Sequence, residues 1–146
     1  MSGVYRHPVA VRFGMCDPAG IAYFPRFFDW YHQAMEAWFG DVLRAPYHQL
    51  LARHGFPAVQ TSCDYQSPCR FGDQVVIELR LAEIGRSSLV LDYRVVGDGD
   101  GDDLRATART KVVMIGTDPT LPDHLRSVAI PAKLRGRLLA FQADEP

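Results

Sequence analysis

The segment from residue 13 to residue 25 holds one carboxylate, Asp17, among small and apolar residues just before a helical pattern. A positioned carboxylate can act as a nucleophile or as a general base toward water. Amides at a helix start lack intrahelical acceptors and carry a partial positive charge, so they can stabilise the oxyanion formed when a carbonyl is attacked. Because Pro25 has no N–H, the donor must be the amide of Phe24 or one beyond Pro25. The simpler interpretation of Asp17 is a turn residue ahead of Pro18.

Other residue patterns fit known chemistries poorly. The acidic stretch 97–103 resembles a calcium loop, yet an EF-hand would need Gly where Asp103 stands and Glu where Arg109 stands. The sequence contains three cysteines, Cys16, Cys63 and Cys69. They lack C-x-x-C spacing, so we expect free thiols and no metal. The absence of a G-x-S-x-G motif argues against an α/β-hydrolase, and the absence of a G-x-x-x-x-G-K motif argues against a P-loop.

A long amphipathic helix is predicted directly after the Asp17 loop, from Pro25 to Gly40. Its apolar face comprises Phe27, Tyr31, Ala34, Met35 and Trp38, and its polar face comprises Asp29, His32, Gln33 and Glu36. Pro25 fits the first helical position and Gly40 fits the C-terminal cap. Shorter helices are predicted over Tyr47–Arg53 and from about Pro131 to Phe141.

The remaining pattern predicts five strands. They cover Val9–Phe13, Ala58–Gln66, Val75–Leu81, Leu89–Val95 and Leu104–Met114. Short connections at Gly85-Arg86 and over 97–103 suit hairpins, so we predict a mostly antiparallel sheet. The long helix needs its apolar face covered, and the sheet must therefore pack against it in an α+β layer. No repeat or linker divides the sequence, and we expect one domain over residues 1–146.

Composition narrows the functional classes. Hydrophobic residues make up 47% and charged residues 23% of the 146 residues, which excludes a disordered chain. The 16 Lys and Arg residues against 17 Asp and Glu residues give a net charge of -1, so no nucleic-acid partner is expected. No apolar run reaches the roughly 18 to 20 residues that cross a bilayer, and the start of the sequence has no signal-peptide pattern. We expect a cytoplasmic protein with no membrane partner and no cofactor.

One motif links the loop to the long helix. It reads Asp17-Pro18-Ala19-Gly20-Ile21, then Tyr23-Phe24-Pro25, then Phe27-Phe28-Asp29-Trp30. Weaker signals follow at Asp64-Tyr65, Pro68, Phe71-Gly72-Asp73, Ser87-Ser88 and over 130–134. This arrangement resembles the hotdog-fold acyl-CoA thioesterases of the 4-hydroxybenzoyl-CoA thioesterase family. The resemblance implies a hotdog fold, in which a five-stranded, mostly antiparallel sheet wraps around one long central helix.

The resemblance also implies roles for residues of the loop. Asp17 would be the catalytic carboxylate, and the backbone amide of Phe24 would bind the thioester carbonyl as the oxyanion donor. Because a thiolate leaves readily, such a pair can suffice without a Ser-His-Asp triad. Gly20 and Tyr23 of the same motif are expected to contact the substrate.

A second group is expected to bind the rest of the substrate. By resemblance, the strand around Ser87 and Ser88 would lie near the pantetheine and nucleotide of CoA. Arg86 can pair with a phosphate there, or it is a solvated hairpin arginine. His32 stands where the 4-hydroxybenzoyl enzyme has an Asp, and it either meets the distal end of the acyl group or is only hydrated or packed.

The predicted function is hydrolysis of an aromatic or short to medium acyl-CoA to a free acid and CoA. The alternative is a non-catalytic acyl-CoA-binding module with the same fold. An exposed sheet edge and incomplete cover by one helix favour self-association. The resemblance implies a homodimer or homotetramer whose active site lies at the subunit interface, with Asp17 and Ser88 facing each other across it.

Overall fold

The computed structural model describes residues 3–143, in which two helices follow the first strand and six more strands precede the last helix. The helices are α1 (Arg26–Asp41), α2 (Tyr47–Leu50) and α3 (Ala132–Gln142). The strands are β1 (Tyr5–Ala10), β2 (His54–Gly55), β3 (Ala58–Tyr65), β4 (Gln74–Ile84), β5 (Ser88–Gly97), β6 (Leu104–Val113) and β7 (Ile115–Gly116). None of the helices within these residues is long and apolar enough to span a membrane.

Five strands form one antiparallel sheet in the order β1-β4-β5-β6-β3. Leu79 lies opposite Tyr93, and Tyr93 lies opposite Ala108, so these buried side chains share one face of the sheet. The connections 85–87 and 98–103 are hairpins, as predicted. The α+β class and the antiparallel sheet are therefore confirmed.

Helix α1 packs against one face of this sheet through the predicted apolar stripe. Its buried residues are Phe27, Trp30, Tyr31, Ala34, Met35, Trp38 and Phe39. Trp30 and Trp38 are 1% and 0% exposed, and the Tyr31 ring stacks on Tyr93 of β5 at 4.7 Å between centroids. The predicted polar face is solvent exposed. The helical spacing of large apolar residues thus determines which side of α1 enters the core.

Several boundaries differ from the sequence-based prediction. The first strand covers Tyr5–Ala10 instead of Val9–Phe13, and Phe13 begins a short 3-10 turn. Because β1 lies at the sheet edge, Pro8 is tolerated within it despite its missing N–H. Helix α2 ends at Leu50, before the predicted end at Arg53. The two-residue strands β2 and β7 were not predicted, since two residues are too few to show a period.

Candidate active site

Asp17 lies in a small hairpin between the first strand and α1. The Asp17 N–H donates to the Ile21 carbonyl at 2.9 Å, and the Tyr23 N–H donates to the Met15 carbonyl at 2.9 Å. Gly20 forms the turn with a φ of +78°, in the region that favours glycine, and its N–H donates to the Asp17 carbonyl at 2.9 Å. These bonds tie both arms of the hairpin together and hold Asp17 in a fixed relation to the helix start.

The hairpin rests on the segment that precedes β4. The Ala22 N–H donates to the Cys69 carbonyl at 2.7 Å, and the Phe71 N–H donates to the Gly20 carbonyl at 3.0 Å. Cys69 is 1% exposed, and burial raises the pKa of its thiol to about 11. A thiol with this pKa stays protonated at neutral pH, so Cys69 is a packing residue rather than a nucleophile.

Arg105 of β6 fixes this supporting segment in turn. Its guanidinium donates to the Pro68 carbonyl and to Asp73 Oδ2, each at 2.9 Å, and to both carboxylate oxygens of Asp103 at 2.9 and 3.0 Å. The Arg105 side chain is 14% exposed. Hydrogen bonds from the Arg70 amide and from Arg105 hold the pKa of Asp73 below its usual value. The floor under the Asp17 hairpin is thus anchored to the sheet by charge-assisted hydrogen bonds.

The Asp17 carboxylate is half-buried and partly committed to the turn. Its Oδ1 accepts a hydrogen bond from the Ala19 N–H at 2.9 Å, which is the local bond expected of a turn aspartate. Among residues 3–143, its Oδ2 accepts no hydrogen bond. Asp17 is therefore a turn residue, as the simpler interpretation predicts. Its second carboxylate oxygen is not used by the turn.

Phe24 occupies the last position before the helix start at Pro25 and Arg26. The carbonyl of Tyr23 accepts from the Arg26 N–H at 2.8 Å, but the Phe24 N–H finds no acceptor within the described part of the chain. Phe24 and Tyr23 are 59% and 49% exposed. Phe24 is three residues beyond Ile21, the partner of Asp17, and so lies within about 10 Å along that arm. Among residues 3–143, the second Asp17 carboxylate oxygen and the Phe24 N–H are thus two groups near the helix start without a hydrogen-bond partner.

Two apolar cavities flank α1. One of about 300 Å³ lies beside the helix start, between Phe24, Phe27 and Tyr65. The other, of about 240 Å³, lies farther along the helix among Tyr31, Met35 and other apolar side chains. Pockets that bind small molecules have volumes of roughly 300 Å³ or more. Both cavities lie near or below this volume, so either can take an acyl group but not a whole CoA thioester.

His32 lies on the rim of the second cavity. Its Nε2 is 2.9 Å from Glu36 Oε1, and its ring meets the edge of Tyr47 at 5.9 Å between centroids. The exposed imidazole is thus neither fully hydrated nor fully packed. A group seated in the cavity would meet the His32 ring at its outer end.

Arg86, Ser87 and Ser88 lie far from Asp17 in the same chain. They follow β4, and the segment under the Asp17 hairpin precedes it, so the 11 residues of this strand, which span at most roughly 35 Å, lie between the two groups. The Arg86 side chain is exposed and, among residues 3–143, forms no ion pair, while its carbonyl accepts from Ile130 and Arg135. The hairpin therefore brings together the predicted site residues of the loop, whereas Arg86, Ser87 and Ser88 lie apart from them.

The face of the sheet opposite α1 carries paired charges. Glu78 is 4% exposed and contacts Arg94 at 3.0 Å and Arg80 at 3.5 Å. Arg109 binds both oxygens of Asp92 at 2.7 and 2.8 Å. A cavity of about 450 Å³ lies among these residues. Because the charged side chains around this cavity pair with each other, we do not assign the cavity to the hydrolysis reaction.

Within residues 3–143, no cluster of three or more His, Cys, Asp or Glu side chains could hold a metal ion.

The family model described as the thioesterase-like superfamily matches residues 11–138, from just before the Asp17 hairpin into α3. The chain belongs to this family. A 1,4-dihydroxy-2-naphthoyl-CoA hydrolase of Synechococcus elongatus is 33% identical over 94 residues, which cover 62% of this thioesterase-like chain and 68% of that protein. A 4-hydroxybenzoyl-CoA thioesterase of Pseudomonas sp. (strain CBS-3) is 26% identical over 125 residues, which cover 84% and 88%. The predicted thioester hydrolase is confirmed.

Solved structures resemble this thioesterase-like chain over most of its length. A gentisyl-coenzyme A thioesterase has a TM-score of 0.79 and 25% identity, covering 91% of this chain and 98% of that one. A mutant 4-hydroxybenzoyl-CoA thioesterase in complex with 4-hydroxybenzoyl-CoA has a TM-score of 0.82 and 23% identity, covering 94% and 99%. The predicted hotdog fold is confirmed by these likenesses.

Two residues that support the loop had no clear signal in the sequence. In the sequence, Tyr65 is only part of the weak Asp64-Tyr65 signal, yet its hydroxyl donates to the Phe24 carbonyl at 2.9 Å. Arg105 lies within the predicted strand Leu104–Met114 and is part of no motif, yet it holds the floor of the hairpin. Both contacts join residues more than 30 positions apart, and no local pattern marks them.

Proposed function

We propose that this protein hydrolyses an acyl-CoA thioester with Asp17 as the catalytic carboxylate and the Phe24 amide as the oxyanion donor. The observation that carries the proposal is the hairpin, which leads from Asp17 to the helix start at Phe24. In the part of the chain that the structure describes, one Asp17 carboxylate oxygen accepts no hydrogen bond and the Phe24 N–H has no acceptor. The names of the relatives support a CoA thioester as substrate. Gly20 acts by shaping the turn, and Tyr23 by lining the approach to Phe24. A cytoplasmic location stays a prediction.

The reaction follows from the charges that each step creates. Attack on the thioester carbon moves an electron pair onto the carbonyl oxygen, where the Phe24 N–H and the positive end of α1 stabilise it. Collapse of this oxyanion breaks the C–S bond and releases the CoA thiolate. Asp17 either attacks directly, giving a mixed anhydride that water then hydrolyses, or takes a proton from the attacking water. Both routes give the free acid and CoA.

A panel of acyl-CoAs tests this function. We expect the purified protein to release CoA from at least one of 4-hydroxybenzoyl-CoA, 1,4-dihydroxy-2-naphthoyl-CoA, benzoyl-CoA, butyryl-CoA and octanoyl-CoA over many turnovers. The measurement is thiol appearance with a chromogenic reagent, with protein thiols subtracted in a reaction without substrate. A rise in melting temperature with these compounds, without CoA release, would instead support the acyl-CoA-binding module.

We propose further that two copies complete the site by pairing their β3 edges. The side chains of β3 are mostly exposed at the sheet edge. Its Tyr65 end lies beside the Asp17 hairpin, because Tyr65 binds the Phe24 carbonyl. Its Ala58 end lies near Ser88, because Val113 pairs with Ser88 and donates to the Pro57 carbonyl. Antiparallel pairing about a two-fold axis places the Tyr65 end of each β3 strand beside the Ala58 end of the other β3 strand. The Asp17 hairpin of one subunit then lies near the Ser88 region of the other subunit.

Sedimentation measurements test this assembly. We expect a mass of two or four chains of 16.4 kDa at micromolar concentration. An exposed strand edge leaves backbone donors and acceptors unpaired, and pairing satisfies them. A monomer that keeps full turnover with acyl-CoA would contradict the shared site. A dimer or tetramer that loses turnover on dilution to monomer would support it.

A further inference from the structure

Tyr65, the last residue of β3, contacts the peptide next to the candidate oxyanion donor. Its hydroxyl donates to the Phe24 carbonyl at 2.9 Å. Its ring meets Phe24 edge-on at 6.2 Å between centroids and Phe27 edge-on at 5.0 Å. The side chain therefore holds Phe24 through both a hydrogen bond and aromatic packing.

Few other bonds hold Phe24 on this side. The Phe24 carbonyl also accepts from the Phe27 N–H, but at 3.3 Å, which is long for an N–H donor. On the other side, Tyr23 is fixed through its N–H to Met15 and through its carbonyl to Arg26. The Phe24 N–H belongs to the same planar peptide as the Tyr23 carbonyl, so the bond from Arg26 holds it from one side. The short hydrogen bond on the other side of Phe24 comes from Tyr65. Without the Tyr65 bond, only the long contact from Phe27 would oppose a rotation of the Phe24 backbone that tilts this N–H.

We propose that Tyr65 is a positioning residue that aims the Phe24 amide at the thioester carbonyl, an inference that rests on the proposed role of that amide. Tyr65 itself does not touch the reacting atoms in this scheme. Oxyanion donors act only when they are already aimed at the developing charge, and small misplacements cost rate without costing affinity. The sheet edge thus contributes to catalysis through a residue 41 positions from the peptide that it holds.

The surroundings of the Tyr65 hydroxyl keep it protonated, so it remains a hydrogen-bond donor. Burial, and next the neighbouring Cys63, raise the pKa of Tyr65 to about 12. Tyr31, which contacts Cys63 Sγ at 3.2 Å, has its pKa raised for the same main reason, burial. The Tyr65 hydroxyl therefore keeps its proton across the pH range in which thioesters can be assayed.

The variant Tyr65→Phe tests the inference, because it removes only the hydroxyl and keeps the ring contacts. With the best substrate of the panel, we expect kcat about tenfold lower and KM within twofold of wild type. The melting temperature should change by no more than in Tyr5→Phe, the matched control. Tyr5 donates its hydroxyl to Asp41 at the opposite end of α1, and its loss should leave kcat within twofold.

The outcomes separate this inference from the proposed function. If Asp17→Asn abolishes turnover while Tyr65→Phe keeps wild-type kcat, the positioning role is wrong and the proposed function stands. If Tyr65→Phe raises KM and lowers the melting temperature without a selective loss in kcat, the residue is only structural and the inference is overturned. If Asp17→Asn keeps wild-type turnover, the proposed loop chemistry itself is wrong. A selective loss in kcat in Tyr65→Phe, with Asp17→Asn inactive, supports both.

Discussion

Replacing Asp17 with Asn will lower kcat at least a hundredfold while leaving the fold intact. The amide keeps an oxygen that can accept the Ala19 N–H, so the turn persists. It can neither attack a thioester nor take a proton from water, and losing a positioned base or nucleophile costs about 10² to 10⁴ in rate. The measurement is steady-state CoA release by wild type and variant, with circular dichroism spectra to compare their folds.

Asp29→Asn is the matched control for this change. Asp29 lies in the first turn of α1, so its substitution removes the same charge near the same helix end. Within residues 3–143, its carboxylate forms an ion pair only with the exposed Arg26, at 3.5 Å. We expect kcat within twofold of wild type for Asp29→Asn, since exposed ion pairs contribute little. A loss of less than about tenfold in Asp17→Asn, or an equal loss in the control, would show that the Asp17 carboxylate is not the catalyst.

Replacing Arg105 with Met will lower the free energy of unfolding by about 2–3 kcal/mol, because one mostly buried guanidinium serves two carboxylates and a carbonyl. Those partners, Asp73, Asp103 and Pro68, then lose charge-assisted bonds of 2.9 Å. In a chain of this size the loss corresponds to a melting temperature lower by roughly 6–10 °C. The measurement is urea unfolding followed by circular dichroism, together with a thermal melt.

Arg109→Met on the same strand supplies the comparison. Arg109 also binds a carboxylate through two bonds, to Asp92, but its side chain is 59% exposed against 14% for Arg105. Exposed pairs contribute about 0–1 kcal/mol, so this variant should unfold close to wild type. Equal losses of unfolding free energy in the two variants would mean that the burial of Arg105 does not determine its contribution to stability. A selective loss in Arg105→Met, accompanied by lower turnover, would link the floor of the Asp17 hairpin to catalysis.

The main elements of the fold could be predicted because their patterns are local. The 3.6-residue spacing from Phe27 to Trp38 marks the buried face of α1, and alternation marks β4, β5 and β6. Strand ends could not be predicted as well: at the sheet edge, pairing with β4 and not periodicity decides that β1 covers Tyr5–Ala10. The two-residue pair of β2 and β7 depends on tertiary contacts alone.

The candidate site divides in the same way. Asp17, Gly20 and Phe24 could be found because a turn and a helix start are local features of the chain. The contacts that hold them could not, since Tyr65 and Arg105 reach the loop and its floor only after the sheet has brought distant segments together. The position of Arg86 and Ser88 at the far end of β4 also depends on the length of that strand and on its partners, which no short motif encodes.

Helix α1 contains both tryptophans of the sequence. Trp30, six residues after Phe24, packs against Phe27 at 4.7 Å between ring centroids, while Trp38 packs against Phe141 of α3 at 5.2 Å. Tryptophan emission therefore reports on this one helix, with one indole in its first half and the other near its distal end. The protein carries its own optical probe, which can follow occupancy of the helix start and detachment of α3 without any added label.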